Sequence, residues 1–409
     1  MMRREVGSLF PGLAVGLFLL FVSGVSVGDE GAVQSASPRE VVFDGPLENV
    51  VLADQKSGEH RIWVNDWAGA VYSRAILFDA DSGDMLGAVE TGWEGVKLDL
   101  PVGGEHIYSS ALYMSRGYHG ARTDALEYIN RATLRVEGEI ILPPKSGRGL
   151  PNTNHSNLSD DESFLFQTFF TPASSVGVVD LRSRTYIGEI ETAGCAYVMS
   201  AGPRRFFSLC GDGSALAIEI DDTGRETRRK RYGGLFDPQA DPISGTAVRS
   251  GDRWYLVTHL GQLHAIDVGG KDLAHKVLWS ASEKAASGKT WIPSEIYQNL
   301  AMHRAQNRLY ILMGEQDLTP KGGGTDYHRK VGTEIWVFDV GTGKRLQQIK
   351  LSQPMTAIAV SQDERPLLYA ANGFSTDVLV MDMQNGEVLR TLHTGFHGMP
   401  MILQPVEPR

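Results

Sequence analysis

Cysteine is almost absent from this sequence, since only Cys195 and Cys210 occur among 409 residues. Neither a C-x-x-C nor an H-E-x-x-H motif is present, so the common cysteine and zinc signatures are excluded. A P-loop and a strand followed by G-x-G-x-x-G are also missing. Helical periodicity is scarce, and the best candidate helix is the short stretch from Ser280 to Ala286. Nothing beyond residue 22 is apolar enough to cross a membrane.

Positive charge is in deficit. Lys and Arg total 39 against 49 Asp and Glu, for a formal net charge of −10, which disfavours nucleic acid as a partner. We interpret the one basic run, Arg225 to Arg231, as a solvated strand edge.

No Ser-His-Asp set, carboxylate pair or metal-ligand spacing stands out, so we predict no catalytic residue and no metal site in this chain. The histidines left scattered over the repeats are His259, His264, His303, His328, His393 and His397.

The N-terminus has the order of a secretory signal peptide. Arg3 and Arg4 precede an apolar run, and small residues follow it up to Gly28. We therefore predict a signal peptide over residues 1–28, cleavage before Asp29 and a periplasmic protein. The alternative is a retained membrane anchor, for which the run is short. The remaining chain divides into an N-terminal extension (29–45), a repeat domain (46–404) and a tail (405–409).

One phrase recurs along the chain: a β-run ending in Asp or Asn, a turn, and another β-run. Five of the six intervals between these turns are 41–51 residues, which is typical of propeller blades, and one is 72 residues. Asp and Asn suit such turns because their side chains bond to the nearby backbone. The seven turn residues are Asp79, Asn130, Asp180, Asp221, Asp267, Asp339 and Asp382.

An aromatic-rich strand precedes each of these runs, and a further strand precedes most of the aromatic ones. Each unit then has four strands, and the sequence predicts an all-β, seven-bladed β-propeller. The first unit lacks its innermost strand, and the C-terminus offers a spare one, so we expect pairing of N- and C-terminal strands in one blade to close the ring. The predicted innermost strands are residues 96–100, 153–158, 195–200, 245–248, 298–302, 356–360 and 398–403.

Long connections fall on one face of the predicted disc, and we assign partner and ligand contacts to that face. The predicted long loops are residues 66–71, 114–123, 143–151, 232–242, 281–293 and 314–332.

The two cysteines flank one predicted hairpin. With a turn at Gly202-Pro203, Cys195 and Cys210 lie directly opposite each other on paired strands, within reach of a disulfide. We predict a structural disulfide, with a redox-active pair as the alternative.

Several strings carry a more specific resemblance. They are Arg61-Ile-Trp-Val-Asn-Asp66, Ser115-Arg116 with Arg122-Thr-Asp124, Val176-Gly-Val-Val-Asp-Leu181, Cys210-Gly-Asp-Gly-Ser214 and Val360-Ser-Gln-Asp-Glu-Arg-Pro-Leu-Leu-Tyr369. In register from about residue 45 to 404, the chain resembles the heavy subunit of the tryptophan tryptophylquinone-dependent amine dehydrogenases, which include the methylamine and aralkylamine dehydrogenases.

The resemblance implies a periplasmic assembly of two heavy and two light subunits. The quinone would belong to the light subunit, so this chain would bind no cofactor and be inactive alone. The enzyme would oxidise a primary amine to an aldehyde and ammonia and pass electrons to a small copper protein. We predict Arg116, Arg122 and Asp124 as residues of the partner face.

One segment departs from the family pattern. Methylamine-type relatives carry a Phe at the mouth of the active site, in the loop after the residues that match Asn65-Asp66. Here that loop is one residue shorter, and the matching position is Gly69 or Ala70. Trp67 and Tyr72 are the nearest aromatic residues, so we predict Trp67, Gly69, Ala70 and Tyr72 as the substrate entrance. The choice between methylamine and a larger amine stays open.

Two other functions remain as alternatives. One is a stand-alone periplasmic propeller that acts as a binding module without a light subunit. The other is a pyrroloquinoline-quinone dehydrogenase, but the repeated Trp-docking motif and adjacent cysteines of those enzymes are missing.

Overall fold

A computed structural model describes residues 51–68, 72–93, 95, 97–147, 152–294, 297–318, 331–395 and 398–407. All of them belong to one compact unit, Asn49–Arg409. Across these ranges the chain forms strands and turns without a helix, and therefore without a helix that spans a membrane. The best candidate helix of the sequence, Ser280 to Ala286, is not helical, and two of its residues form a short strand. The signal peptide and the extension predicted over residues 1–45 lie outside the described residues.

The strands form seven antiparallel sheets, which are the blades of a β-propeller and confirm the predicted fold class. Blade 1 contains β1 (Arg61–Ala68), β2 (Tyr72–Asp79) and β3 (Met85–Gly92), and blade 2 contains β4 (Leu98–Asp99), β5 (His106–Arg116), β6 (His119–Asn130) and β7 (Val136–Leu142). Blade 3 contains β8 (Ser156–Leu158), β9 (Phe164–Phe169), β10 (Ser175–Asp180) and β11 (Thr185–Glu191). Blade 4 contains β12 (Cys195–Ser200), β13 (Arg205–Cys210), β14 (Ala215–Ile220) and β15 (Glu226–Tyr232).

Blade 5 contains β16 (Ile243–Ser250), β17 (Arg253–Thr258), β18 (Gln262–Asp267) and β19 (Ala274–Ser280). Blade 6 contains β20 (Glu283–Lys284), β21 (Thr290–Pro293), β22 (Leu300–His303), β23 (Arg308–Gln316), β24 (Gly332–Asp339) and β25 (Arg345–Met355). Blade 7 contains β26 (Ala357–Val360), β27 (Leu367–Ala371), β28 (Asp377–Asp382) and β29 (Val388–His393). The last strand, β30 (Pro400–Pro405), joins blade 1 as its innermost strand and pairs antiparallel with β1.

Blade 6 departs from the expected four strands. It has six, because the 72-residue interval also contributes β20 and β21. The strand β21 pairs with the C-terminal half of β23, and β20 pairs with β21. Two innermost strands are clearly shorter than predicted, namely Leu98–Asp99 within the predicted 96–100 and Ser156–Leu158 within 153–158, whereas β16 is longer than the predicted 245–248. An innermost strand has a ladder partner on one side only, so its length is limited to the residues that face the second strand.

The recurrent Asp and Asn residues close the turns as expected. The Asp79 carboxylate accepts hydrogen bonds from the backbone amides of Asp81 and Ser82, at 2.8 and 3.0 Å. Asp339 and Asp382 accept backbone amides in the same way in blades 6 and 7. These side chains therefore replace backbone partners within a turn, which is why the phrase repeats once per blade.

Each blade shares its core with both neighbours. Successive side chains of a strand point to opposite faces of the sheet. In β1, Ile62 and Val64 pack with blade 7, whereas Trp63 packs with blade 2. In blade 3, likewise, Phe164 and Leu165 enter different clusters. Seven such clusters are seen in the described part of the chain, one at each junction between consecutive blades.

Two glutamines fasten β30 on both sides. The Gln404 side chain accepts the Leu98 amide at 2.9 Å and donates to the Leu98 carbonyl at 2.8 Å, which ties β30 to blade 2. From blade 6, Gln298 accepts the Leu403 amide at 2.8 Å and donates to the Leu403 carbonyl at 3.0 Å. The strand that comes from the opposite end of the chain is thus bonded to blade 2 on one side and, past blade 7, to blade 6 on the other.

The cysteine hairpin forms as predicted. Cys195 and Cys210 are directly opposed in register and joined by a disulfide, which confirms the pairing. Both are buried. The bridge lies in the core between blades 3 and 4.

The basic run forms β15, the outermost strand of blade 4. Its cations have acidic partners: Arg228 and Lys230 reach Asp272, and Arg229 reaches Glu226. The run is therefore a charged strand edge, a common way to prevent edge-to-edge pairing.

His60 lies beside the junction of blades 1 and 7. Its buried ring places Nδ1 2.8 Å from an Asp81 oxygen and Nε2 3.1 Å from an Asp363 oxygen, and these carboxylates belong to different blades. Burial alone would lower the pKa of His60, but the two carboxylates outweigh it and raise that pKa above its ordinary value. Other charged groups lining the cavity that His60 faces are Glu364, Arg365 and Asp382.

We expect Gln404→Met to lower the free energy of unfolding by about 1–3 kcal/mol, because the Leu98 amide and carbonyl lose their side-chain partner. Urea unfolding of the chain measures this. Gln239→Met, at an exposed loop position, is the matched control and should stay within about 0.5 kcal/mol of wild type. Equal stability of the two variants would contradict the role assigned to Gln404.

We expect His60→Gln to destabilise the chain mainly at mildly acidic pH. The raised pKa of His60 gives stability that is fully present below its unfolded-state pKa and is lost as pH rises through the folded value. On the acid side, this stability is lost only when the Asp363 carboxylate becomes protonated, and the pKa of Asp363 is lowered below its ordinary value. Unfolding at about pH 5.5 should show a deficit of roughly 1–2 kcal/mol that shrinks in alkali. His393→Gln, at an exposed His–Asp pair, serves as control; a deficit independent of pH would contradict the charge pairing.

Candidate partner-docking face and substrate entrance

We use the term loop face for the end of the disc that carries two kinds of connection. These are the connections from second to third strand within a blade and from the outermost strand to the innermost strand of the next blade. Because the strands of a blade alternate in direction, both kinds lie at the same end of the sheets.

A β-hairpin arm projects from this face in blade 2. The stretch 114–123 was predicted as a loop, but ladder pairing continues through Met114↔Arg122 to Arg116↔His119. The tip from Ser115 to Ala121 is exposed, and the Tyr118 side chain is 70% exposed. The prediction was wrong because side-chain patterns weaken where neither face of a hairpin is buried.

Blade 6 carries a second extension of this face. The predicted loops 281–293 and 314–332 contain β20, β21 and the end of β23, where Thr290 pairs with Gln316. Residues 319–330 lie outside the described residues. Since blades 7 and 1 stand between blades 6 and 2 in the ring, the two extensions flank blade 7 and blade 1, and blade 1 contains both β1 and β30.

An ion pair with a buried carboxylate lies near the turn end of the β1–β2 hairpin. Asp66 is fully buried, and Arg74 on the opposite strand donates Nε to it at 3.0 Å. Arg74 also donates to the Thr394 carbonyl at 2.6 Å, and Asp66 accepts the Met399 amide. The pair therefore joins the hairpin to both ends of the connection that leads into β30.

Blade 2 repeats this arrangement. Asp124 is buried and accepts Arg122 through two bonds of 2.6 and 2.7 Å. It also accepts the Ser146 amide at 3.0 Å, while Arg122 donates to the Ser146 carbonyl. Of the three predicted partner-face residues, Arg116 is thus exposed, Arg122 is partly buried and Asp124 lies underneath the surface. Their contact with a partner stays a prediction.

The predicted entrance is described in part. Trp67 and Met399 are both partly buried, and each packs against the buried cluster of Tyr297, Met401 and Ile402. Its backbone amide donates to the Met399 carbonyl at 3.0 Å. Gly69 and Ala70 lie outside the described residues, and Tyr72 begins β2 opposite Ala68. The assignment of these four residues to an entrance stays a prediction.

The sequence analysis missed Arg74, Met399 and Tyr297. Only Asp66 left a usable signal, since an acidic residue at the end of the Ile62–Asn65 run requires a partner if it is buried. Burial raises the pKa of Asp66, and the Met399 amide and the Arg74 guanidinium act in the opposite direction.

A cavity of about 480 Å³, larger than the one that His60 faces, lies between blades 1 and 2 on the face of the disc opposite to the loop face. Its walls include Trp63, and its cations are already engaged: Arg61 donates to the Ala53 carbonyl and Arg131 to the Pro101 carbonyl. It is remote from the predicted entrance, so we base no site on it.

Comparison with known proteins decides the family. A family model described as methylamine dehydrogenase heavy chain (MADH) matches residues 58–404. The chain belongs to the methylamine dehydrogenase heavy chain family. Heavy chains from Paracoccus versutus and Methylophilus methylotrophus are each 26% identical to it, over 351 and 393 residues. These alignments cover 84% and 93% of this chain and 79% and 92% of the relatives. The resemblance noted in the sequence is thereby confirmed.

Solved structures show the fold alone. Candidate 6-phosphogluconolactonases from Bacteroides fragilis and Bacteroides uniformis superpose with TM-scores of 0.57 and 0.55, at 11% and 12% identity. They cover 86% and 85% of this chain, and this chain covers 100% and 99% of theirs. At 11% and 12% identity, the similarity of these two structures to this chain carries no information about its function.

Proposed function

We propose that this chain is the non-catalytic heavy subunit of a periplasmic quinoprotein amine dehydrogenase. Two heavy and two light subunits form the assembly. The tryptophan tryptophylquinone of the light subunit supplies the oxidation of a primary amine to aldehyde and ammonia, and a small copper protein accepts the electrons. The heavy chain supplies the docking face and one wall of the entrance.

Membership of the heavy chain family over residues 58–404 carries this proposal. The loop face supports it, because a rigid ring presents two extensions there that flank blades 7 and 1. Exposed aromatic side chains on this face, Tyr118 at 70% and Phe374 at 66%, suit a protein interface, where aromatic residues are enriched.

The compartment has independent support. A disulfide between Cys195 and Cys210 is expected where the environment is oxidising, as in the bacterial periplasm. The charged and apolar order of residues 1–28 is that of an export signal.

Purified without a light subunit, this chain should be colourless in visible light and inactive toward amines, because the quinone is on the other subunit. Amine-dependent dye reduction should appear when the light subunit from the native host is added. A quinone band in the isolated chain would contradict the proposal. Recovery of the chain from its host as a monomer without a small Cys-rich partner would favour the stand-alone propeller.

Ala70→Phe should narrow the entrance. The ring replaces a methyl group at one of the two positions, Gly69 or Ala70, that match the Phe of methylamine-type relatives, and discrimination in an apolar pocket is about 1–3 kcal/mol per group. In the assembled enzyme, the kcat/KM ratio for methylamine over phenylethylamine should rise about 10-fold, with little change in kcat for methylamine. Unchanged kinetics for both amines would show that residues 67–72 face solvent away from the substrate path.

A further inference from the structure

The Asp66–Arg74 pair holds a fully buried carboxylate, which is costly, against a guanidinium side chain that is 36% exposed. Ionised groups lose hydration, and exchanging a buried ion pair for apolar residues is often neutral or stabilising. Asp66 has no exposed surface, and the raised pKa of its carboxyl shows that burial outweighs its two partners. Stability alone therefore does not account for the pair, whereas directed hydrogen bonds give it a geometric role.

The pair fixes one connection at both ends. Arg74 bonds to the Thr394 carbonyl, Asp66 accepts the Met399 amide, and the Trp67 amide bonds to the Met399 carbonyl. Gly398 allows this close approach, since a Cβ there would lie 2.0 Å from Thr394 Oγ1 and 3.2 Å from Asp66 Oδ1. The described residues of the connection, 394–395 and 398–399, therefore lie close to the ion pair.

The consequence is the position of one side chain. With its backbone amide and carbonyl both bonded to β1, Met399 is held with its side chain against the cluster of Tyr297, Met401 and Ile402, against which Trp67 also packs. In blade 2, Asp124 accepts the Ser146 amide and Arg122 donates to the Ser146 carbonyl, so that pair also bonds to one amide and one carbonyl of a connection, although both belong to one residue. Two adjacent blades thus use one device to fix a connection on the loop face.

We propose that Asp66 and Arg74 are positioning residues that hold Met399 beside Trp67 as a wall of the substrate entrance, and that Met399 thereby helps to set amine selectivity. This inference rests on the proposed function for its kinetic consequence. Its structural part, the fixed connection, concerns this chain alone. A thioether wall is deformable, so its selectivity depends on how firmly its backbone is held.

Arg74→Gln removes the charge and the reach to Thr394, Arg74→Lys retains the charge, and Met399→Ala removes the wall while leaving the pair intact. In the assembled enzyme, Arg74→Gln and Met399→Ala should each change the kcat/KM ratio for methylamine and phenylethylamine by about 10-fold. The change should arise in KM more than in kcat, and Arg74→Lys should restore part of it. The matched control is Arg249→Gln, which breaks the bidentate pair with Asp160 on the opposite face and should leave the ratio unchanged.

Amide hydrogen exchange on the isolated chain gives a second measurement. Arg74→Gln should speed exchange at Trp67 and Met399 by about 10-fold or more, without a matching change in the core strands. Wild-type exchange rates in Arg74→Gln, or an amine ratio within about twofold of wild type in both Arg74→Gln and Met399→Ala, would overturn the inference. A wild-type assembly that oxidises neither amine would instead refute the proposed function, and exchange would still decide whether the pair fixes the connection.

Discussion

Packing between neighbouring blades is the interaction on which the rest of this molecule depends. In a blade, the second strand from the centre directs alternate side chains toward the two neighbouring blades, as Ile62 and Trp63 do in β1. A single blade therefore has no complete core of its own. The ring must therefore close before any junction is secure. Closure places β30, from the end of the chain, beside β1, and the glutamine bonds of Gln298 and Gln404 hold that strand to blades 6 and 2.

A closed ring leaves its loop face free to vary. The apolar junctions supply the stability, so costly polar groups can be buried above them, as with the aspartates of blades 1 and 2. Each of these aspartates forms an ion pair with an arginine and bonds to the backbone of an adjacent connection. In a protein proposed to serve a catalytic partner, a fixed surface is the main contribution that the scaffold can make.

Much of the fold was predictable because its signals are local. An Asp such as Asp339 bonds to the backbone within four residues, so the turn can be read from a short string. The disulfide followed from a single hairpin register. The extended hairpin of blade 2 and the added strands of blade 6 were missed, since their pairing depends on exposed ladders with little apolar pattern.

The sequence by itself determined the number of blades, the turn residues, the disulfide and the family, because each depends on residues close in the chain or on a pattern spread over its whole length. Only the tertiary structure decided that Asp66, Arg74 and Met399 meet, since 325 residues separate Arg74 from Met399 and ring closure alone brings them together. It also decided that Asp124 is buried under the surface on which Arg116 is exposed. Contacts across the closing junction have no local signature, because they are set by the geometry of seven packed sheets.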